Sequence, residues 1–199
     1  MTAGCRAAIV TVSDSVAQGT RQDLSGPAVV RLLEAEGWTV RSTEVLPDDF
    51  SLLRERLGAL TSDVDVDAVF TTGGTGVGPR DRTPEATTSV MERSLPGLAE
   101  LMRRDGMRKT PLAALSRAVV GVKGKTLLVN LPGAPEGAED SLRAILPLLQ
   151  HAVGVIRGEA VHGTVPEPAP ARPPSAAPDA TATSDAATPQ EGLGKEEPL

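Results

Sequence analysis

Between Thr71 and Ala86 the chain reads TTGGTGVGPRDRTPEA, with four glycines from Gly73 to Gly78 and the pair Arg80-Asp81 close behind them. Glycine frees the backbone to turn and leaves no Cβ in the path of an approaching group. Successive N–H groups in such a loop can cup an anion. A hard cation such as Mg²⁺ takes oxygen ligands, often one or two carboxylates plus substrate phosphates. Asp81 offers one such carboxylate, and Asp48, in the stretch LPDD, offers another. Local sequence leaves each feature open. The glycines also suit a tight strand-to-helix turn, Asp48 or Asp49 also suits a helix cap, and Asp81 also suits a turn.

Neither common phosphate fingerprint fits the loop. A Walker loop ends in Gly-Lys-Ser/Thr, which this chain lacks, and a dinucleotide fingerprint starting at Gly74 needs glycine where Pro79 stands. DVDVDA from Asp63 resembles the opening of a calcium loop. An EF-hand would need Gly and Glu where Ala68 and Gly74 stand, so a polar approach to a strand is expected instead.

The elements that must hold these residues alternate along the chain. AAIVTV (Ala7–Val12) is a continuous apolar run, as expected for a strand buried on both faces. SGPAVVRLLEAEG has helical spacing, with Ser25 as the expected cap and Gly37 after its end. Thr39–Leu46 reads as a strand, Phe50–Leu60 as a helix, and Asp67–Thr72 as a third strand that runs into the glycine loop. Thr83 is the expected N-cap of the next helix, with Pro84 and Glu85 in its first turn. A further helical piece follows Pro96. SRAVVGV and KTLLVNL read as two strands joined near Gly124, one of them possible as an antiparallel member, and a closing helix is expected to bend at Pro147. This order predicts an α/β fold: three layers, a mostly parallel sheet with helices on both faces.

In such folds ligands bind beyond the carboxyl ends of the strands. Ser13 and Asp14 follow the first predicted strand and Asp48 the second. Thr72 to Gly76 and Arg80-Asp81 follow the third, and Asn130, Pro132 and Gly133 follow the last. Ser116-Arg117 is either a phosphate contact or a solvated strand start.

Composition narrows the classes. Net charge is −6, and aromatics are 2% of 199 residues, with no tyrosine. Neither the charge nor the lack of stacking rings suits nucleic acid, so no nucleic-acid partner is expected. Cys5 is the only cysteine, and His151 and His162 are too far apart to read as a local metal pair. No signal-like or membrane-length apolar run is present, so a cytoplasmic protein without membrane contact is expected. Residues 163–199 hold eight of the 17 prolines and few large apolar side chains. The expected organisation is one folded domain over residues 1–162 and a disordered Pro/Ala-rich tail over 163–199.

The stretches TVSDS…GTRQDLSGP, LPDD, TTGGTG…RDRTPEA, LSRAVVGV and LLVNLPGAP occur in one order. Together they resemble the molybdenum cofactor biosynthesis family, molybdopterin adenylyltransferase branch, over about Arg6 to Gly158. The resemblance implies Mg²⁺-dependent transfer of AMP from ATP to molybdopterin, with release of pyrophosphate and hand-over of the product to a molybdate-insertion protein. It implies a homotrimer. It places Asp48 and Asp81 in catalysis and, as a pair, on Mg²⁺. It places Ser13, Asp14, Thr72, Gly73, Gly74, Thr75, Gly76, Arg80, Ser116, Arg117, Asn130, Pro132 and Gly133 in substrate and nucleotide binding. The alternative is a non-catalytic carrier of the same family that holds molybdopterin and passes it on.

Overall fold

A computed structural model describes residues 4–159. The boundary expected at residue 162 and the tail beyond it lie outside the described residues. The chain forms β1 (Arg6–Val12), α1 (Asp14–Ala17), α2 (Ser25–Ala35), β2 (Thr39–Leu46), α3 (Phe50–Ser62), β3 (Ala68–Thr72) and α4 (Thr83–Val90). It continues through β4 (Arg93–Ser94), α5 (Pro96–Gly106), a 3-10 turn (Pro111–Leu115), β5 (Val120–Lys123), β6 (Thr126–Leu131) and α6 (Pro135–Arg157). The short α1, the two-residue β4 and the 3-10 turn are too brief to leave a periodic signal.

The six strands are ordered β2-β1-β3-β6-β5-β4. The first four run parallel, while β5 is antiparallel to β6 and β4 to β5. Side chains alternate across the sheet, as the strand period of two requires. Ala7 and Ile9 of β1 join Phe70, Leu127 and Val129 under α2, α5 and α6. Ala8, Val10 and Val12 join Val69 and Leu128 under Leu53, Leu57 and Leu60 of α3 and Ala86 of α4. Two cores back to back explain why β1, β3 and β6 are buried along almost their whole length. Each large side chain buried there contributes about 1.5–3 kcal/mol.

Two expected caps are assigned differently. Ser25 is the first residue of α2, and the Asp23 carboxylate does the capping by accepting from Gly26 N–H at 3.0 Å. Thr83 is the first residue of α4 after Arg82, because its N–H donates to the Gly74 carbonyl at 3.1 Å and draws the turn tight. α6 continues through Pro147 as one helix of 23 residues.

Asn130 ties the layers together. It is fully buried, and its amide donates to Thr71 Oγ1 at 2.9 Å and to Thr87 Oγ1 of α4 at 2.8 Å. Its Oδ1 accepts from Val119 N–H at 3.3 Å. Orphaning a buried polar group costs about 1–3 kcal/mol. Asn130→Leu should therefore lower the unfolding free energy by about 1–3 kcal/mol or more, read as a lower urea midpoint at unchanged slope. An unchanged midpoint in equilibrium unfolding would remove Asn130 from this role.

Candidate functional site

The sheet's direction of winding reverses between β1 and β3. α2, which follows β1, covers one face, while α3, which leads into β3, covers the other. Loops leaving neighbouring strands toward opposite faces open a crevice at the carboxyl ends. Here that crevice is a cavity of about 370 Å³. Ser13, Asp48, Thr72, Gly73, Gly74, Asp81 and Gly133 line it. Four separate strand ends thus meet at one place, a convergence that sequence spacing could not establish.

Two glycines make that convergence possible. A Cβ on Gly73, whose φ is +104°, would stand 2.2 Å from the Val12 carbonyl oxygen. A Cβ on Gly133 would stand 3.1 Å from Gly73 Cα. Gly74 lies under both Thr83 Oγ1 and Asp48 Oδ1, at 2.4 and 3.3 Å from where a Cβ would be. The loop therefore sits against protein backbone on one side and faces the cavity on the other.

Asp49, not Asp48, caps α3, accepting from Leu52 N–H at 2.8 Å. That frees Asp48 for the cavity. Asp48 Oδ2 accepts from Asp14 N–H at 2.9 Å, and Asp14 Oδ1 accepts from Asp48 N–H at 3.1 Å. This reciprocal pair fixes the end of β2 against the end of β1. Arg80 closes the group by pairing with Asp14 Oδ2. Asp81 Oδ2 turns back to Gly78 N–H at 2.8 Å. Both oxygens of Asp14 are thus engaged, while Asp48 and Asp81 each have one oxygen anchored, which holds the other in a set direction.

Not all the loop's donors remain available. Gly73 N–H is spent on the Leu131 carbonyl and Gly78 N–H on Asp81. The N–H groups of Gly74, Thr75 and Gly76 have no protein acceptor among the described residues. Thr83 Oγ1 is buried and likewise unpartnered. The donor set around Asp48 and Asp81 is oxygen, which suits Mg²⁺ rather than a soft metal. Among the described residues no three His, Cys, Asp or Glu side chains group closely enough to hold a metal alone. Two carboxylates leaving the remaining positions to water and substrate phosphate is the usual Mg²⁺ arrangement, so the residues present fit that ion.

The other expected residues stand behind the cavity or away from it. The Pro132 carbonyl accepts from Thr72 Oγ1 at 2.7 Å. Asn130 is committed to the core as described. Ser116 Oγ accepts from Ala118 N–H at 3.4 Å, away from the cavity lining. Arg117 braces the loop instead of lining the cavity. Its N–H donates to the Thr75 carbonyl at 2.9 Å and its Nε to the Gly76 carbonyl at 2.6 Å. Its guanidinium also reaches the Asp81 carbonyl and the Glu85 carboxylate. Sequence reading gave Glu85 only a helix-dipole role. It gave Ser25 only a helix cap and gave no site role to Thr11, Val12, Arg21, Gln22, Leu24, Ala134 and Pro135, which with Ser25 complete the lining. Placement of GTRQDLSGP in the connection between the first strand and the first long helix was the available signal for most of them.

The hydrogen bond from Arg117 holds the Glu85 carboxyl below its ordinary pKa. A depressed carboxylate value stabilises the fold above the unfolded pKa, about 4.3, and the gain is lost as pH falls through the folded value. Both side chains are over a third exposed, so the pair is worth about 1 kcal/mol or less. Its use is placement of the loop. Glu85→Gln should melt slightly below the wild type near neutrality, and the gap should close on acidification below about pH 4. A gap that persisted in melting curves at acid pH would contradict the charge-based contact.

A family described as probable molybdopterin binding domain matches residues 8–151. A molybdopterin adenylyltransferase from Helicobacter pylori is 36% identical over 152 residues, covering 75% of this chain and 86% of that protein. A molybdenum cofactor biosynthesis bifunctional protein from Chlorobaculum tepidum is 35% identical and covers 77% of this chain, which spans 49% of it. The crystal structure of the molybdopterin biosynthesis enzyme MoaB from Thermus thermophilus superposes with a TM-score of 0.74 at 47% identity, covering 77% of this chain and 97% of that one. With the matched span running through every cavity-lining loop, the chain belongs to the molybdenum cofactor biosynthesis family of probable molybdopterin-binding domains.

Proposed function

We propose that this protein is a molybdopterin adenylyltransferase, transferring AMP from ATP to molybdopterin and releasing pyrophosphate. The observation that carries the reading is the meeting of Asp48, Asp81 and the glycine loop on one cavity. A relative named for this activity shares 36% of its residues over most of both chains.

The reaction joins two anions. A phosphate oxygen of molybdopterin attacks the α-phosphorus of ATP, a new P–O bond forms, and the bond to pyrophosphate breaks. The site must hold both phosphates in line and offset their repulsion. The N–H of Gly74, which lines the cavity, supplies a donor for a phosphate oxygen, and the unbonded N–H groups of Thr75 and Gly76 follow it in the loop. The Asp14–Asp48 pair and the Arg117 brace keep the two carboxylate-bearing loops in register. Asp48 and Asp81 would hold Mg²⁺, which when bound would neutralise phosphate charge and stabilise the leaving pyrophosphate. No side-chain nucleophile is needed. Family resemblance supports one further element of the proposal, a homotrimer, and a cytoplasmic setting is proposed with it. Fusion in the bifunctional relative supports hand-over of the product to a molybdate-insertion protein. Among the described residues no helix is long and apolar enough to cross a membrane.

Purified protein given molybdopterin and ATP should release pyrophosphate only when both substrates and Mg²⁺ are present, and chelation should stop it. Bound pterin without turnover would favour a carrier of the same family. Asp81→Asn should slow turnover about 10²-fold or more, the scale of losing one electrostatic contact in the transition state, while pterin still binds. Near-normal turnover in that variant would remove Asp81 from catalysis.

A further inference from the structure

Four arginines stand close to the cavity, and three are committed elsewhere. The Arg82 guanidinium lies over the Phe50 ring, 5.0 Å from its centroid. Arg80 pairs with Asp14, and Arg117 pairs with Glu85 while donating to two loop carbonyls. Their charge is largely answered within the protein. None of these three lines the cavity, whereas Arg21 does.

Arg21 forms no ion pair among the described residues. The carboxylate beside it in sequence is already engaged. Asp23 accepts from Thr11 Oγ1 at 2.7 Å, from Gly26 N–H at 3.0 Å and from Ser25 Oγ at 3.3 Å. The backbone of Arg21 is pinned, its N–H donating to the Ser15 carbonyl at 3.1 Å, beside Thr20, which uses the same oxygen twice. A fixed backbone therefore carries an exposed, uncommitted guanidinium at the edge of a cavity whose other charged linings are Asp48 and Asp81. Such a group matches phosphate in charge and in its forked donor geometry.

We propose that Arg21 is the guanidinium that receives a substrate phosphate group in this cavity. The proposal rests on the adenylyltransferase reading, in which both substrates carry phosphate. Arg80 and Arg117 then serve as loop braces, and Arg21 is the binding residue for the anion.

The test is equilibrium binding rather than turnover. Mg-ATP and molybdopterin are titrated singly into wild type, Arg21→Ala, Arg21→Lys and, as a charge-matched control, Arg54→Ala. Arg54 lines a separate surface groove on α3. Arg21→Ala should weaken one ligand about tenfold, in the range of a lost charge-assisted hydrogen bond. Arg21→Lys should recover part of that loss, Arg54→Ala should bind as wild type, and the deficit should shrink with added salt. A deficit confined to Mg-ATP assigns Arg21 to the nucleotide phosphates; one confined to molybdopterin assigns it to the pterin phosphate. Equal binding by Arg21→Ala and wild type overturns the proposal and leaves the adenylyltransferase reading standing, as does an equal loss in Arg54→Ala. A wild type that binds neither ligand overturns both.

Discussion

The site depends on one steric constraint, the contact of Gly73 with the carbonyl of Val12. The space where a Cβ would stand is 2.2 Å from that oxygen, and Gly133 packs onto Gly73 in turn. Strands β1, β3 and β6 can end side by side only because neither residue carries a side chain. Their loops then open on a shared space instead of three separate ones. Any L-residue at position 73 would meet backbone that cannot yield and would also have to adopt a φ of +104°.

On that base, short polar contacts set direction rather than strength. The Asp14–Asp48 exchange, the Arg80–Asp14 pair and the Arg117–Glu85 brace are all partly exposed, and each adds little to folding stability. Each one removes a degree of freedom from a loop that bears a carboxylate or an unbonded N–H. The two buried cores carry the fold, and the braces carry the geometry of the cavity. This division lets the loop keep free donors without loosening the sheet.

Legibility followed the range of the interaction. The glycine loop, Asp48 and Asp81 were legible only as candidates, because their types and spacing equally suited a tight turn or a helix cap until the fold put them on one cavity. Resemblance across five ordered stretches added the family. The arginines were less legible, because a guanidinium reaches far and its partner is fixed by the fold. Arg117 follows Glu85 by 32 residues, and nothing in either segment announces the pair. Asn130 sits in a stretch that suggests a ligand contact, yet its amide is consumed by Thr71 and Thr87. Arg21 lies in a connecting segment whose placement against the cavity depends on the Ser15 carbonyl and on Asp23.

The sequence by itself determined the layered α/β order, because apolar runs and helical spacing are local and periodic. It also determined which loops lie at the carboxyl ends of strands, since that follows from element order. Tertiary structure decided whether those loops meet, which aspartate caps a helix and which faces the cavity, and which arginine lines the cavity with no ion partner among the described residues. The physical reason is the same in each case. Hydrogen-bonding groups are shared out among neighbours that are distant in the chain, and only the packed sheet brings those neighbours within reach.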